Sequence, residues 1–139
     1  LIARTDAVAV NGWDDAMHRC EAYLEAGADA LFVEAIPTRE RAQELAHTFD
    51  VPLLYNFVET GKSPLLSVEE LDEMGFKIVI FPATALLSAT QAISHAMREL
   101  KSRGTTAHLI ENHMVSLIDC FETVGLSHML EIDADFANR

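Results

Sequence analysis

Three side chains that can do chemistry stand where short apolar runs end. Arg4 follows Leu1-Ile2-Ala3, Glu34 follows Ala30-Leu31-Phe32-Val33, and Asn56 follows Leu53-Leu54-Tyr55. A guanidinium keeps its charge and offers a planar fork of donors that matches a carboxylate. A glutamate can serve as general acid or base, or accept hydrogen bonds from metal-bound water. An asparagine amide can donate to a carboxylate or carbonyl oxygen. This set is suited to binding and polarising a small carboxylic acid. Each residue also has a purely structural reading. Arg4 can pair with Asp6 or Glu34 and simply close the sheet, a role compatible with catalysis, and Asn56 can be a turn residue.

The elements that would position these residues are legible around them. The apolar runs, with Ile78-Val79-Ile80-Phe81 as a fourth, are continuously hydrophobic, as parallel strands buried on both faces are. Between them lie amphipathic segments with recognisable ends. Trp13 to Ala26 reads as a helix, with Asp14 and Asp15 in its first turn and Gly27 past its end. Thr38 is a candidate N-cap for a helix reaching Thr48. Ser67-Val68-Glu69-Glu70 is a capping box for a helix that stops at Gly75. A longer helix is expected from Thr84 to Arg103, before Gly104, and a last one from Met114 to Val124, before Gly125. The stretch Glu25 to Ala35 is echoed by Glu73 to Ala83: helix end, glycine turn, buried strand, strand exit. Repeated βα units imply a parallel sheet, either doubly wound or a barrel. In both, the active site lies at the C-terminal ends of the strands, where Arg4, Glu34 and Asn56 fall. Four strands amount to about half of a (β/α)8 barrel, which takes roughly 250 residues.

The 139 residues are 50% hydrophobic and 23% charged, enough for a packed core. The formal net charge of −12 disfavours nucleic acid and anionic membranes as partners. Two distant cysteines, Cys20 and Cys120, suit a reducing, cytoplasmic compartment better than a disulfide framework. No apolar run reaches transmembrane length. The chain starts at Leu1, inside an apolar run, as expected for a piece of a longer product.

Several other signals are weak. Gly61-Lys62-Ser63 resembles the tail of a phosphate loop, but Asn56 stands where its first glycine belongs. His108 and His113 are five apart and do not match a zinc helix. Cys20 and Cys120 lie in helical segments and read as core. No lysine stands at a strand exit, since Lys77 precedes its strand. That argues against a Schiff-base aldolase and for metal-assisted chemistry.

With these residues in place, the chain resembles the isocitrate lyase / phosphoenolpyruvate mutase superfamily. The resemblance rests on Ile2-Ala3-Arg4-Thr5-Asp6-Ala7, Glu25-Ala26-Gly27-Ala28-Asp29, Phe32-Val33-Glu34-Ala35, Asn56 with Gly61-Lys62-Ser63-Pro64-Leu65, and Gly75 to Pro82. It runs in order from Leu1 to about Gly104. It implies the C-terminal half of a (β/α)8 barrel (residues 1–104) with extra C-terminal helices (residues 105–139) that exchange between subunits of a dimer or tetramer. The implied activity is that of a Mg2+-dependent lyase cleaving a C–C bond of a small 2-hydroxy or 2-oxo acid. A pyruvate-type enolate would be stabilised by the metal and Arg4. Arg4 matches the family's substrate-binding arginine, Glu34 its strand-end glutamate near the metal waters, and Asn56 the asparagine that contacts substrate. The family's metal-binding aspartates, its oxyacid loop and its cysteine-bearing gating loop precede this stretch, and Asp6 and Asp29 do not replace them.

The branch follows by exclusion. A 2-methylisocitrate lyase is expected to have Thr at position 58, Arg at the start of the helix after the last strand, and Arg near position 116. Here the residues are Val58, Leu87 and Ser116. A tricarboxylate would lack cations, which leaves a smaller dicarboxylate such as a substituted malate. The Asn56-Phe57-Val58-Glu59 pattern disfavours the phosphonate branch. The alternatives are an oxaloacetate decarboxylase or hydrolase on the same scaffold, and an inactive fragment without its metal site.

Overall fold

The computed structural model describes residues 1–137. Four strands form where the apolar runs lie: β1 (Ile2–Thr5), β2 (Ala30–Val33), β3 (Leu53–Asn56) and β4 (Ile78–Ile80). All pair in parallel, in the order β1-β2-β3-β4. Parallel neighbours need a crossover, and helices supply each one. α1 (Ala7–Val10) and α2 (Trp13–Glu25) connect β1 to β2, α3 (Arg39–Thr48) connects β2 to β3, and α4 (Val68–Met74) connects β3 to β4. A doubly wound sheet reverses its strand order at a switch point, whereas a barrel does not. The unbroken order here is that of a barrel.

Local chemistry accounts for the helix boundaries. Thr38 accepts the Arg41 amide and caps α3. Ser67 and Glu70 close the expected capping box on α4, and Gly75 ends that helix at φ 111°, a left-handed conformation that glycine adopts without cost. Alternation along the strands then divides the sheet into two faces. Leu31, Val33, Leu53 and Tyr55 join Ala16, Cys20, Leu45, Leu71 and Phe76 in the core beneath the helices. The Tyr55 hydroxyl crosses this core to donate to the Pro64 carbonyl at 2.7 Å. Residues of the opposite parity share the other face. Arg4 is level with Phe32, Phe32 with Leu54, and Asn56 with Ile80.

The chain separates into two units, Leu1–Leu87 and the residues from Ser88 onward. The long helix α5 (Thr84–Arg103) forms as expected. Beyond it come a 3-10 turn (Ala107–Leu109), α6 (Ile110–His113), α7 (Leu117–Glu122) and α8 (Leu126–Ala137). The single helix expected from Met114 to Val124 is therefore corrected. Met114 is extended, and Ser116 accepts the Asp119 amide at 3.0 Å, so the helix begins only at Leu117. Among the described residues, no helix is long and apolar enough to cross a membrane.

Leu71 is fully buried, so Leu71→Ala should cost about 2–5 kcal/mol of unfolding free energy. Ser67→Ala removes only a cap and should cost about 1 kcal/mol. Urea unfolding of the two variants checks the ranking. Equal losses would contradict this placement of the core.

Candidate active site

Arg4, Glu34 and Asn56 leave three adjacent strands on the same face, and their side chains meet. The Arg4 guanidinium grips Asp6 with two bonds, Nε to Oδ2 at 3.0 Å and Nη2 to Oδ1 at 2.8 Å. The same Nη2 lies 3.2 Å from Glu34 Oε2. Asn56 donates to that same Oε2 from Nδ2 at 3.1 Å. A continuous polar chain, Asp6–Arg4–Glu34–Asn56, thus runs across the ends of β1, β2 and β3. The guanidinium carbon also lies 4.6 Å from the centre of the Phe32 ring, which supports the cation from below. Arg4 pairs with carboxylates, as one of its two expected roles had it, and its side chain is half-exposed at the strand end.

Two features of Glu34 matter for its chemistry. Its ion pair with Arg4 and its hydrogen bond from Asn56 both use Oε2. The next residue, Ala35, has φ 59°, a left-handed conformation that disfavours a Cβ. Such strain turns the chain sharply at the strand exit and is found where geometry serves a site.

Asn56 differs from expectation in one respect. One of its two amide N–H groups donates to Glu34, because a carboxylate can only accept. The amide oxygen Oδ1 is buried and without a partner. Asp6 is held below the usual carboxylate range, chiefly by the Arg4 hydrogen bonds and also by that cation's charge. Arg4 is raised by the same bonds.

Other residues singled out in the sequence fall outside this arrangement. Cys20 is buried in the core, and burial pushes its thiol up to about 11, so it is no nucleophile at neutral pH. Cys120, read as core, is instead exposed on α7. Lys77 precedes β4 and lies 3.5 Å from Asp72, at the entrance of the strand. Lys62 is exposed in the loop after β3.

The charges on the rim bear on metal binding. One guanidinium faces two carboxylates there, so the field is net negative, which favours a cation. Yet Asp6 is clamped by Arg4, and Glu34 Oε2 is engaged by the Arg4 cation and the Asn56 amide. Among the described residues no group of three or more His, Cys, Asp or Glu could hold an ion. These side chains do not make a metal cage. Glu34 Oε1 is at most an acceptor for water on an ion held by other residues.

Comparison with known proteins places this geometry. The family model described as phosphoenolpyruvate phosphomutase matches residues 1–101. The chain is 43% identical over 105 residues to 2-methylisocitrate lyase of Bacillus subtilis, covering 76% of this chain and 35% of that protein. It is 35% identical over 137 residues to 2,3-dimethylmalate lyase of Eubacterium barkeri, covering 99% of this chain and 47% of that one. Among solved structures, oxaloacetate acetylhydrolase in complex with 3,3-difluorooxalacetate superposes with a TM-score of 0.88 at 34% identity, over 99% of this chain and 46% of its own. Phosphonopyruvate hydrolase complexed with oxalate and Mg2+ gives 0.77 at 25% identity, over 96% of this chain and 47% of its own. The chain thus spans about half the length, or less, of the relatives it matches.

The Arg4–Asp6 clamp makes a prediction about pH. Asp6 has a lower pKa in the fold than in the unfolded chain. Its stabilising contribution is therefore present above the ordinary carboxylate pKa of about 4 and is lost as pH falls through the lowered value. A carboxyl-detected NMR titration should find Asp6 below that range, and Arg4→Gln should restore it. An Asp6 pKa unchanged by Arg4→Gln would remove the clamp.

Proposed function

The chain belongs to the phosphoenolpyruvate phosphomutase family, and on that premise we propose that the whole protein is a Mg2+-dependent lyase that cleaves a C–C bond of a small 2-hydroxy or 2-oxo dicarboxylate. The observation that carries this reading is the shared Glu34 Oε2, which gathers Arg4 and Asn56 into one rim. Relatives bearing the names 2-methylisocitrate lyase and 2,3-dimethylmalate lyase support it.

In this reading a substrate carboxylate docks on Arg4, where the fork of donors suits it. Glu34 Oε1 takes the proton from the 2-hydroxyl as the C–C bond breaks. The hydroxyl carbon becomes a carbonyl, and the bonding pair passes to the other fragment as an enolate. Arg4 stabilises the charge that develops. Mg2+ would add Lewis-acid stabilisation, with ligands supplied mainly by residues outside this chain.

The choice of a dicarboxylate rests on three positions. Val58 is apolar, Leu87 is apolar and exposed, and Ser116 is occupied in capping α7, so none supplies a cation for a third carboxylate. A second reading, oxaloacetate decarboxylation or hydrolysis, draws on the likeness to oxaloacetate acetylhydrolase. We also propose a cytoplasmic homo-oligomer, a dimer or tetramer. Its residues 105–139 would pack on another protomer through apolar side chains that α7 leaves exposed, Leu117, Ile118 and Phe121. If the matched relatives owe their activity to a metal site this stretch lacks, the 139 residues alone are inactive.

Full-length protein with Mg2+ and a substituted malate should release pyruvate or a related oxoacid, and Arg4→Ala should lower kcat/KM by about 100-fold or more. Undiminished turnover in that variant would remove Arg4 from the mechanism. Release of CO2 or oxalate from oxaloacetate would favour the second reading. In sedimentation the protein should exceed monomer mass, and a monomer at micromolar concentration would overturn the exchange of helices.

A further inference from the structure

The polar chain across the strand ends does not stop at Asn56. Three residues later Glu59 lies in the loop that leaves β3, and its Oε1 accepts the Thr84 hydroxyl, at the start of α5 just after β4. The stretch from Asn56 to Gly61 is held by further contacts. The Phe57 amide donates to Ile80 at 2.9 Å, and the Phe57 ring lies 4.9 Å from that of Phe81. The Gly61 amide donates to Val58 at 2.9 Å, in a turn so tight that a Cβ on Gly61 would come within 3.1 Å of Val58.

Glu59 accepts this link at a cost. Its second oxygen, Oε2, is buried with no hydrogen-bond partner, and no cation pairs with it among the described residues. Only one other side-chain atom among them is buried in this way, Asn56 Oδ1. Buried polar atoms are almost always satisfied, so two orphans within three residues on one rim need a reason.

We propose that Glu59, through Thr84, is a positioning residue for the active site. It fixes the exit of β3, so that Asn56 meets the substrate in a set orientation. The Glu59–Thr84 link does for β3 and β4 what Glu34 does for β1, β2 and β3. This inference rests on the proposed contact between Asn56 and substrate. Glu59 itself touches no reacting atom, so its effect is on binding and alignment rather than on the bond-breaking step.

The test uses full-length protein and a substituted malate, with KM, kcat and melting temperature measured for each variant. Glu59→Ala and Thr84→Val should each raise KM about tenfold while kcat stays within twofold and the melting temperature barely moves. The double variant should be no worse than either single one, because both remove the same link. Glu59→Gln keeps a carbonyl acceptor for Thr84 and should restore KM. Unchanged KM in both single variants would overturn the proposal, as would additive effects or a parallel fall in kcat and melting temperature. Asn56→Ala separates the two levels. If it leaves KM unchanged, the reading of Asn56 as a substrate residue fails. If it raises KM and Glu59→Ala does not, only the positioning role fails.

Discussion

One carboxylate oxygen organises the described rim at the strand ends. Glu34 Oε2 forms an ion pair with Arg4 from β1 at 3.2 Å and accepts a hydrogen bond from Asn56 of β3 at 3.1 Å. Neither donor could be held as well alone. Without its carboxylates, the guanidinium would be a half-exposed cation with many rotamers, and sharing one acceptor limits that freedom. The sharing also fixes which way each group faces. Asn56 must turn its amide nitrogen towards Glu34, so its oxygen is the end left over. Arg4, doubly bonded to Asp6, is drawn flat above Phe32.

The sheet makes this meeting possible. Parallel register sets Arg4 beside Phe32 and Asn56 beside Ile80, and period-two alternation puts Arg4, Glu34 and Asn56 on the face away from the helices. A slip of one residue in any strand would turn its polar side chain into the core. The anchors against such a slip are the buried Leu31, Val33, Leu53 and Tyr55. The apolar core that stabilises the unit is thus also what aims its chemistry.

Electrostatics defines what the rim lacks. One arginine faces two carboxylates, so the described rim carries net negative charge. The chain covers about half or less of each matched relative, and no metal cage is found among its described residues.

The amino-acid sequence by itself determined the four strands, the helices α2 to α5 and the strand-exit positions of Arg4, Glu34 and Asn56. These follow from local signals: apolar runs, a capping box, glycines at helix ends. The helices after Gly104 were less legible. Ser116 and Asp119 carry the cap signal that starts α7, inside the stretch expected to be helical from Met114. Only the tertiary structure decided that the sheet runs in barrel order, that Arg4 holds Asp6 as well as Glu34, and that Asn56 donates within the protein. Glu59 was beyond sequence reasoning, because its partner Thr84 is 25 residues away. The physical reason is one of range. Helix caps and strand runs are set by residues a few positions apart, whereas a shared acceptor exists only once the strands have paired.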